Sequence, residues 1–587
     1  MSADGRSDPA QDAARLRTAA EAWLAEDPDP ATRDELASLL AAGDDAGLAE
    51  RFGSRLQFGT AGLRGEMGPG PNRMNVAVVR RAAAGLGSWL LDLHSDRIGD
   101  GVAICFDARH HSREFAEDTA RVLAAQGITA HLLAGPLPTP VLAYAVKKLE
   151  AGAGVMVTAS HNPARDNGYK VYDATGAQIV PPVDGQISAA IDAVGPLATV
   201  ELAPLDHPLV DRVGDELVES YLDDVLAMLP SVPSGPPLSI VYSAMHGVGG
   251  RTVVALLERA GFGAPTLVDE QFAPDPDFPT VAFPNPEEPG AIDLTLARAR
   301  AVGAELALVN DPDADRLAVA VPDPLLDPAG PGGGWRMLRG DEVGVLLADA
   351  VLADPPVPAA GGADLVPVLA CSIVSSQQLG RMAAAAGIAF EETLTGFKWI
   401  ARSPGPGRRL LFGYEEALGY CVGDLVADKD GISALLAVVR RAVALRATGT
   451  TLLDRLDELS RIHGLHATRQ LSFRAEGLAG LKQIATAMGR LRTDAPTELA
   501  GRPVERIDDL ASPPPGSPFP PSNVLIFRMA DARVIVRPSG TEPKLKAYIE
   551  VISSVAPGPD GLADARAAAD AALDALAAVV TTTLALS

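Results

Sequence analysis

The sequence predicts an α/β protein of several domains that ends in an α+β part. The chain has 587 residues, too many for one hydrophobic core, so about three to five domains are expected. Apolar runs such as GVAICF, AGVMVT, LSIVYS and ELALVN alternate with Ala- and Leu-rich helical segments. This alternation is typical of largely parallel sheets with helices on both faces. Near the end, NVLIFRM, RVIVRP and KLKAYIEV follow one another with short connections, which indicates antiparallel strands.

The N-terminal stretch to about Arg51 is predicted to be helical, because Leu16, Ala20, Trp23 and Leu24 recur at helical spacing. Weak boundaries are indicated by the proline- and glycine-containing segments 204–208 and 322–334, and by 448–450. The predicted parts are a helical extension over 1–50, α/β domains over 51–208, 209–325 and 326–452, and an α+β domain over 453–587 that closes with an Ala-rich helix.

Composition limits the partners and the compartment. The net charge of −25 repels nucleic acid, so an anionic ligand needs a local cluster of basic residues. The three cysteines, Cys105, Cys371 and Cys421, are scattered and odd in number, which suits a reducing compartment. No apolar run reaches the length of a membrane span, and the first residues lack the apolar segment of a signal peptide. We therefore expect a cytoplasmic enzyme without nucleic-acid or membrane partners.

Four polar segments each follow an apolar strand, where open α/β sheets bind ligands. In the first, TASHNP, Ser160 leaves a buried strand in a tight turn. There is no Gly-x-Ser-x-Gly elbow, and His161, as the next residue, is poorly placed to be its general base. Alone, such a turn is more often structural than catalytic. Lys170 follows ten residues later and could face an anion.

The second segment, DPDADR, places Asp311, Asp313 and Asp315 at alternate positions, so in an extended loop their side chains would point one way. Three carboxylates about 5 Å apart repel by about 3 kcal/mol per pair at an effective dielectric of 20, so they favour a bound cation. An EF-hand is excluded because Arg316 and Pro322 occupy the positions of its Gly and Glu. Hard oxygen ligands that leave room for a phosphate oxygen favour Mg²⁺.

The third and fourth segments supply groups that suit a sugar phosphate. LLFGYEEALGY carries Glu415 and Glu416, which are either a solvated surface or acceptors for sugar hydroxyls; the residues alone leave both open. RPSGTEPK combines a guanidinium, two hydroxyls, an unhindered backbone and an ammonium, which together suit a phosphate. Its candidate phosphate-binding residues are Arg537, Ser539, Gly540, Thr541 and Lys544. A serine nucleophile, a cation site, hydroxyl acceptors and a phosphate clamp indicate phosphoryl transfer on a polyol.

The chain also resembles the α-D-phosphohexomutases, the family of phosphoglucomutase and phosphomannomutase. The resemblance covers about residues 51–551 and rests on TASHNP, DPDADR, GYEEALGY and RPSGTEPK in that order, supported by FGTAGLRG, CFDARHHS, MHGVG and TGFKW. Within the family the chain is similar to the branch of the eukaryotic phosphopentomutase-like enzymes and their bacterial relatives. The resemblance implies four domains around a cleft, three of them α/β with mixed sheets and the last a helix-on-sheet α+β domain.

The resemblance also implies roles for individual residues. Ser160 would be the phosphoserine, and it would bind Mg²⁺ through its phosphate together with the three aspartates. Arg64, Lys170 and His161 are the other candidate catalytic residues. The candidate substrate-binding residues are Arg316, Lys398, Glu415, Glu416 and Lys429, with Arg537, Ser539, Gly540, Thr541 and Lys544 for the distal phosphate. Many relatives have Ser two residues after the sugar-binding Glu, where this chain has Ala417.

The expected activity is interconversion of hexose 1-phosphate and hexose 6-phosphate, of glucose and possibly mannose, with a sugar 1,6-bisphosphate as intermediate and activator. A phosphopentomutase acting on ribose phosphates is the alternative, because the loop lacks the serine hydroxyl. A sugar-bisphosphate synthase with an external donor is a further rival, although no Walker-type loop is present to bind ATP. The protein is expected to be a monomer or homodimer.

Overall fold

A computed structural model describes residues 9–59, 62–93, 100–229, 237–330, 332–359, 362–474, 477–539 and 544–584. Three helices precede three α/β domains and a C-terminal α+β domain. The predicted fold class is therefore confirmed.

The N-terminal segment is helical, as predicted. It forms α1 (Pro9–Glu26), α2 (Pro30–Ala42) and α3 (Asp45–Phe52). Asp29 caps α2 by accepting from the backbone N–H of Ala31, which satisfies a donor left over at the helix start. The three helices pack around a small apolar core of their own that includes Ala20, Leu36 and Leu48.

Domain I is a six-stranded sheet with helices on both faces. Its elements are β1 (Leu63–Glu66), α4 (Val76–Leu93), β2 (Val102–Phe106), α5 (Ser112–Ala125), β3 (Ala130–Pro136), α6 (Thr139–Lys148), β4 (Ala153–Val157), β5 (Asp166–Asp173), α7 (Val183–Ala193) and β6 (Val210–Val213). The strand order is β1-β5-β4-β2-β3-β6. Strands β4, β2, β3 and β6 are parallel to one another. At one edge β5 pairs antiparallel with β4, and β1 pairs antiparallel with β5.

Domain II repeats this plan with five strands. Its elements are α8 (Glu216–Met228), β7 (Ile240–Ser243), α9 (Gly250–Arg259), β8 (Thr266–Leu267), α10 (Asp269–Phe272), α11 (Asp293–Val302), β9 (Leu306–Asn310), β10 (Leu317–Pro322) and β11 (Trp335–Met337). Strands β9, β7 and β8 are parallel, and β10 and β11 extend the sheet antiparallel beside β9.

Domain III has four strands. Its elements are α12 (Gly340–Ala353), β12 (Val366–Ser372), α13 (Gln378–Ala386), β13 (Ala389–Thr393), α14 (Phe397–Arg402), β14 (Arg408–Glu415), β15 (Gly419–Val422), α15 (Gly431–Arg446) and α16 (Leu452–His463). Strands β13, β12 and β14 are parallel, and β15 is antiparallel to β14.

Domain IV is an antiparallel sheet covered by helices. Its elements are β16 (Leu465–Arg474), α17 (Gly477–Thr493), β17 (Glu498–Leu499), β18 (Arg502–Pro503), β19 (Arg506–Asp509), β20 (Leu525–Arg528), β21 (Ala532–Pro538), β22 (Lys544–Ser553) and α18 (Gly561–Leu584). The five-stranded sheet has the order β16-β22-β21-β20-β19 with every pair antiparallel. The predicted run of three consecutive antiparallel strands is present as β20, β21 and β22.

One helix corrects an expectation from the sequence. Helix α18 is long and apolar enough to span a membrane by length and composition, and it alone meets that test among the described ranges. Its apolar character comes from alanine and leucine, and Ala569, Leu573, Leu576 and Val580 are buried in the domain IV core. The helix packs on β16 and β22, so its apolar side already has a partner within the protein.

The expected domain boundaries separate some elements from their sheets. A boundary after residue 208 cuts β6 from β3, its parallel partner in domain I. A boundary after residue 325 likewise cuts β11 from β10 in domain II. Helix α16 packs with α12, α13 and α15, and its leucines join the core shared by the three α/β domains, although it lies almost wholly in the range expected for domain IV.

The four polar segments share one structural position, because each connects two antiparallel neighbouring strands. The segment with Ser160 joins β4 to β5, and that with the three aspartates joins β9 to β10. The segment with Glu415 and Glu416 joins β14 to β15, and the one after Arg537 joins β21 to β22. In each α/β domain the hairpin starts from the carboxyl end of a strand in the parallel part of the sheet. The loops of the three α/β domains therefore lie where open α/β sheets bind ligands, at the carboxyl ends of parallel strands.

Candidate active site

The four hairpin loops border one cleft of about 1260 Å³. The predicted residues that line it are Arg64, Ser160, His161, Lys170, Asp315, Arg316, Lys398, Glu415, Glu416, Lys429, Arg537, Ser539 and Lys544. Asp311 and Asp313 are fully buried immediately beneath Ser160 and Lys170. Gly540 and Thr541 lie outside the described residues. The predicted local cluster of basic residues is therefore present in a protein of strongly negative net charge.

Ser160 is held in an unusual backbone conformation with its hydroxyl directed at the aspartate loop. Its φ is +53°, in the left-handed region that non-glycine residues rarely adopt. The Oγ atom lies 3.0 Å from Asp311 Oδ2, and its backbone N–H donates to Thr158 Oγ1 at 2.8 Å. The residue is only 2% exposed. A strained, buried serine in a polar cleft is typical of a functional position.

The position of His161 corrects the prediction from its place in the sequence. Its Nδ1 atom lies 3.2 Å from Ser160 Oγ, so the residue that follows Ser160 does reach the hydroxyl. The left-handed turn at Ser160 brings the two side chains to the same side of the loop. Burial, Arg316 and Arg64 lower the pKa of His161 well below its usual value, so the ring is neutral at pH 7. Because the hydroxyl has one proton, it donates either to His161 or to Asp311.

The three predicted carboxylates converge, but not by the predicted geometry. Carboxylate oxygens of Asp311, Asp313 and Asp315 lie within 4.8 Å of one another. The loop is tightly turned rather than extended: Ala314 has φ +53° and donates from its backbone N–H to Asp311 O at 2.8 Å. The carboxylates of these three residues therefore meet because the backbone turns, and not because alternate side chains of an extended chain share one face.

A neighbouring loop braces this turn. Val248 donates from its backbone N–H to Pro312 O at 2.8 Å. A side chain on Gly247 would place Cβ 2.3 Å from Pro312 Cα, and one on Gly249 would place it 2.8 Å from Ala314 Cβ. The MHGVG segment therefore needs glycine where it meets the aspartate loop, which gives a physical reason for that motif.

Two lysines neutralise one side of the carboxylate cluster. Lys170 Nζ lies 2.8 Å from Asp313 Oδ2 and 3.2 Å from Asp315 Oδ2, and Lys429 Nζ lies 3.1 Å from the same Asp315 oxygen. These cations outweigh the effect of burial and lower the pKa values of Asp313 and Asp315. Lys429, predicted to bind substrate, thus also contacts the aspartate loop.

The remaining oxygens of the cluster fit a metal ion. The Oδ1 atoms of Asp313 and Asp315 are buried without a hydrogen-bond donor among the described residues. Burial and the two neighbouring carboxylates raise the pKa of Asp311 well above its usual value. Buried carboxylate oxygens that lack donors are costly unless a cation meets them. An all-oxygen donor set of this kind suits a hard divalent ion.

The glutamate loop enters the cleft from domain III. Glu415 Oε1 accepts from the backbone N–H of Gly396 at 2.6 Å. Glu416 Oε2 accepts from the hydroxyls of Ser372 and Ser375 at 3.2 and 3.3 Å. Burial, then Glu415 and Asp341, raise the pKa of Glu416 to about 7. A Cβ on Gly340 would lie 1.7 Å from Glu416 O, so α12 supports the loop closely.

Lys398 and Arg64 are two further cations at the cleft. Lys398 is the second residue of α14, and burial lowers its pKa to about 8, against the opposing effects of nearby carboxylates. Arg64 on β1 donates to Asn162 Oδ1 at 3.1 Å in the Ser160 loop. Burial lowers the pKa of Arg64, whereas Asp313 and Asp315 oppose this effect.

Domain IV contributes cations at the other side of the cleft. Arg537 on β21 lies opposite Lys546 on β22 in the sheet register. Ser539 lies directly after β21, outside the strand. The backbone N–H of Ser539 donates to Lys544 O at 2.7 Å, which closes the hairpin. Burial lowers the pKa of Lys546, and Glu416 from domain III opposes this shift. Three cationic side chains thus lie on one hairpin.

Several residues at the site were not predicted as site residues. Lys546 and Arg339 line the cleft, and Arg109 lies buried under the Ser160 loop. Lys546 could have been found from the KLK spacing, because alternate residues of a strand share a face. Arg109 was noticed only as part of a supporting motif, and nothing in the sequence places its guanidinium under a loop more than 50 residues away.

Comparisons with known proteins agree with this geometry. The chain matches the phosphoglucomutase/phosphomannomutase alpha/beta/alpha domains I, II and III over residues 55–196, 219–324 and 339–461, and the C-terminal domain over 490–556. It is 42% identical over 483 residues to a probable phosphomannomutase of Haemophilus influenzae, covering 81% of this chain and 93% of the relative. It is 35% identical to human phosphopentomutase, covering 92% of each protein.

A solved structure supports the fold. A phosphoglucomutase/phosphomannomutase family protein from Burkholderia thailandensis superposes with a TM-score of 0.65 at 19% identity, covering 90% of this chain and 98% of that protein. The matches to all four domains, in order and over most of the chain, agree with the resemblance read from the four motifs. The chain belongs to the phosphoglucomutase/phosphomannomutase family, the α-D-phosphohexomutases, and is an intramolecular phosphotransferase of the isomerase class.

Proposed function

We propose that this phosphomutase interconverts hexose 1-phosphate and hexose 6-phosphate, of glucose and also of mannose, through a phosphorylated Ser160 and a sugar bisphosphate. The observation that carries the proposal is the joint arrangement of one cleft. Ser160 lies over a carboxylate cluster on one side, Glu415 enters from domain III, and Arg537 and Lys544 lie on domain IV. The proposed bisphosphate intermediate has a phosphate at each end, so it needs the Ser160 side and the domain IV side of the cleft at the same time.

In the proposed reaction, a sugar hydroxyl oxygen attacks the phosphorus of phosphoserine 160. A new P–O bond forms to the sugar, the bond to Ser160 Oγ breaks, and the hydroxyl proton is passed on to the site. The resulting bisphosphate reorients in the cleft, and Ser160 Oγ attacks its other phosphorus. A P–O bond to Ser160 Oγ forms, the bond to that sugar oxygen breaks, and the sugar oxygen takes the proton back from the site. The isomeric sugar monophosphate then leaves, so atoms and charge balance over the cycle.

Arg64, Lys170 and His161 are the candidates for moving the proton. His161 Nδ1 is 3.2 Å from Ser160 Oγ, and Lys170 lies in the same buried cluster beneath the serine. Arg64 contacts the Ser160 loop through Asn162. Of the three, His161 is the group within hydrogen-bond distance of Ser160 Oγ, the reach that general acid–base chemistry requires, whereas Lys170 and Arg64 would act on the sugar hydroxyl from the cleft that they line.

The carboxylates would hold Mg²⁺. Asp311, Asp313 and Asp315, together with the phosphate on Ser160, would bind the ion, consistent with the Oδ1 atoms that lack donors. When bound, Mg²⁺ neutralises negative charge on a transferring phosphoryl group. Lys170 and Lys429 hold the opposite oxygens and keep the carboxylates in place.

The far side of the cleft would bind the phosphate that is not transferred. Arg537, Ser539 and Lys544, with Gly540 and Thr541 of the same segment, supply the donors that suit a phosphate. Arg316, Lys398, Glu415, Glu416 and Lys429 line the space between the two sides and would contact the sugar. A sugar 1,6-bisphosphate would activate the enzyme by phosphorylating Ser160.

The hexose assignment is supported by the phosphomannomutase name of the Haemophilus relative and by the whole-chain family match. A pentose phosphate is the second candidate, and two observations favour it. The human relative named phosphopentomutase covers more of the chain, and Ala417 lacks the hydroxyl that many hexomutases have there. One neutral hydrogen bond contributes only about 1 kcal/mol, so we expect weak discrimination between sugars.

The test compares kcat/KM for glucose 1-phosphate, mannose 1-phosphate and ribose 1-phosphate at one concentration of glucose 1,6-bisphosphate, and again without it. We expect hexose turnover that depends on the bisphosphate. A preference for ribose 1-phosphate of about 100-fold would overturn the hexose assignment and leave the mechanism in place. We also propose that the protein is cytoplasmic, which cell fractionation would test. The proposed monomeric or homodimeric state would be tested by analytical ultracentrifugation.

A further inference from the structure

A single guanidinium lies beneath the Ser160 loop and binds its backbone. Arg109 Nη2 donates to Ser160 O at 2.6 Å and to Asn162 O at 2.5 Å. Arg109 Nη1 donates to Pro163 O at 2.7 Å and to Asp166 O at 3.1 Å. The four carbonyls span the whole connection from β4 to β5. The planar fork of arginine suits this task, because its donors point in fixed directions.

The carboxylate of Asp107 connects this guanidinium to the other side of Ser160. Asp107 Oδ2 lies 3.3 Å from Arg109 Nε and accepts from Thr158 Oγ1 at 2.6 Å. Thr158 Oγ1 in turn accepts from the backbone N–H of Ser160 at 2.8 Å. Ser160 is therefore held at its N–H through Thr158 and at its C=O through Arg109, and both lead back to Asp107 at the end of β2.

The arrangement is closed to solvent and touches a second domain. The side chains of Asp107 and Arg109 are each 1% exposed. The Arg109 guanidinium carbon lies 4.9 Å from the ring centre of Phe278, which belongs to domain II. Domain II also carries the aspartate loop that faces Ser160 Oγ. Buried charge of this kind is costly unless it is paired, and here the guanidinium lies beside the Asp107 carboxylate and donates to four backbone carbonyls of the Ser160 loop.

We propose that Asp107, Arg109 and Thr158 are positioning residues that hold Ser160 in its left-handed conformation and direct Oγ at Asp311 and the reacting phosphorus. None of the three is among the described residues that line the cleft, although Thr158 Oγ1 also lies 3.5 Å from Asp313 Oδ2. The inference rests on the proposed role of Ser160 as nucleophile. Without the two backbone anchors, the +53° φ at Ser160 relaxes toward an ordinary value and Oγ moves away from the carboxylate cluster.

The first test is Arg109→Lys, which keeps the charge but cannot reach four carbonyls. A displacement of a reacting group by about 1 Å can cost about 100-fold in rate, so we expect kcat to fall by about that factor while KM changes little. The matched control is Arg113→Lys, because Arg113 is exposed on α5 and lies over Phe106 instead of the loop. The control should keep the kcat of the unmodified protein.

The second test keeps folding and positioning apart. Thr158→Val removes the hydroxyl that receives the Ser160 N–H, whereas Thr158→Ser retains it. We expect Val to slow the single-turnover phosphorylation of Ser160 by glucose 1,6-bisphosphate, measured by intact mass, and Ser to restore most of the rate. Circular dichroism and the melting temperature identify any variant that is not folded.

The outcomes are separable. If the unmodified protein shows no mutase activity and no phosphorylation at Ser160, the proposed function fails. If the unmodified protein is active and folded Arg109→Lys and Thr158→Val keep its kcat and phosphorylation rate, the positioning role is overturned. A rise in KM with unchanged kcat would equally overturn it, because that pattern indicates lost substrate binding.

Discussion

The two sides of the cleft are built in contrasting ways. On the Ser160 side, Ser160, Asp311 and Asp313 are at most 2% exposed, and hydrogen bonds from several elements fix the loops. On the domain IV side, Arg537, Ser539 and Lys544 are half-buried on one hairpin, and the domain has its own apolar core. In the proposed reaction, this difference would leave the Ser160 side preorganised for phosphoryl transfer, whereas the domain IV side would bind a phosphate presented by either end of the sugar.

The largest effect is expected at the nucleophile. Ser160→Ala removes the atom that carries the phosphoryl group, so kcat should fall by roughly 10⁴-fold or more. Intact-mass analysis should show the loss of a phosphoryl adduct of about 80 Da where the unmodified protein carries one. Ser54→Ala, at an exposed serine, is the control and should retain both activity and adduct. Undiminished turnover in Ser160→Ala would contradict the proposal that the Ser160 side of the cleft carries out the phosphoryl transfer.

The next effect tests the metal cluster. Asp313→Asn removes charge beneath Lys170 and should lower kcat by about 100- to 1000-fold, the range for losing one preorganised electrostatic contact. A chelator should inactivate the unmodified protein, and Mg²⁺ should restore it. Asp327→Asn alters an exposed acidic residue of the same domain and should change neither property. Full activity in chelator would contradict the proposed metal site.

A smaller loss is expected on the distal side. Arg537→Ala removes a charge-assisted contact worth about 2–3 kcal/mol, which corresponds to roughly 30- to 150-fold in kcat/KM. Both substrate isomers should lose equally, because each places its distal phosphate there. Arg506→Ala on β19 is the control, since Arg506 pairs with Asp508 at the surface. A defect larger than that of Asp313→Asn would reverse the contrast between the two sides.

The smallest effect concerns stability and pH. Burial raises the pKa of Glu416 from 4.5 to about 7, so the folded protein binds a proton more tightly than the unfolded chain. The unfolding free energy should therefore fall as pH rises from about 4.5 to about 7. Glu416→Gln should flatten this part of the profile, measured by urea unfolding at several pH values. Glu498→Gln, at an exposed glutamate, should leave the slope unchanged.

Much of the architecture was predictable from short-range patterns. The N-terminal helices, the alternation of strands and helices, and the antiparallel end of domain IV all follow from periodicity. The hairpin geometry was predicted for the loop of domain IV but not for the three loops of the α/β domains, although its signal was present there too. Strands β9 and β10 are separated by only six residues, from 311 to 316, too few for the crossover that parallel strands need.

The site was predictable as a set of residue types but not as a set of contacts. Asp311, Asp313 and Asp315 do converge, yet the turn at Ala314 that brings them together depends on Gly247 and Gly249 from another loop. The contact of His161 with Ser160 depends on a left-handed φ that no local pattern announces. Arg109 follows β2 and the Ser160 loop follows β4, so their contact depends on the parallel pairing of these two strands. Long-range packing therefore fixes what local sequence leaves open.

The most direct test of the central claim follows one phosphoryl group. The protein is incubated with glucose 1,6-bisphosphate labelled in its phosphates, quenched within one turnover, and digested for peptide mapping. The account predicts label on Ser160 that moves to added glucose 1-phosphate on a second incubation. Label on another residue, or a phosphorylated Ser160 that does not pass its label to the sugar, would contradict it.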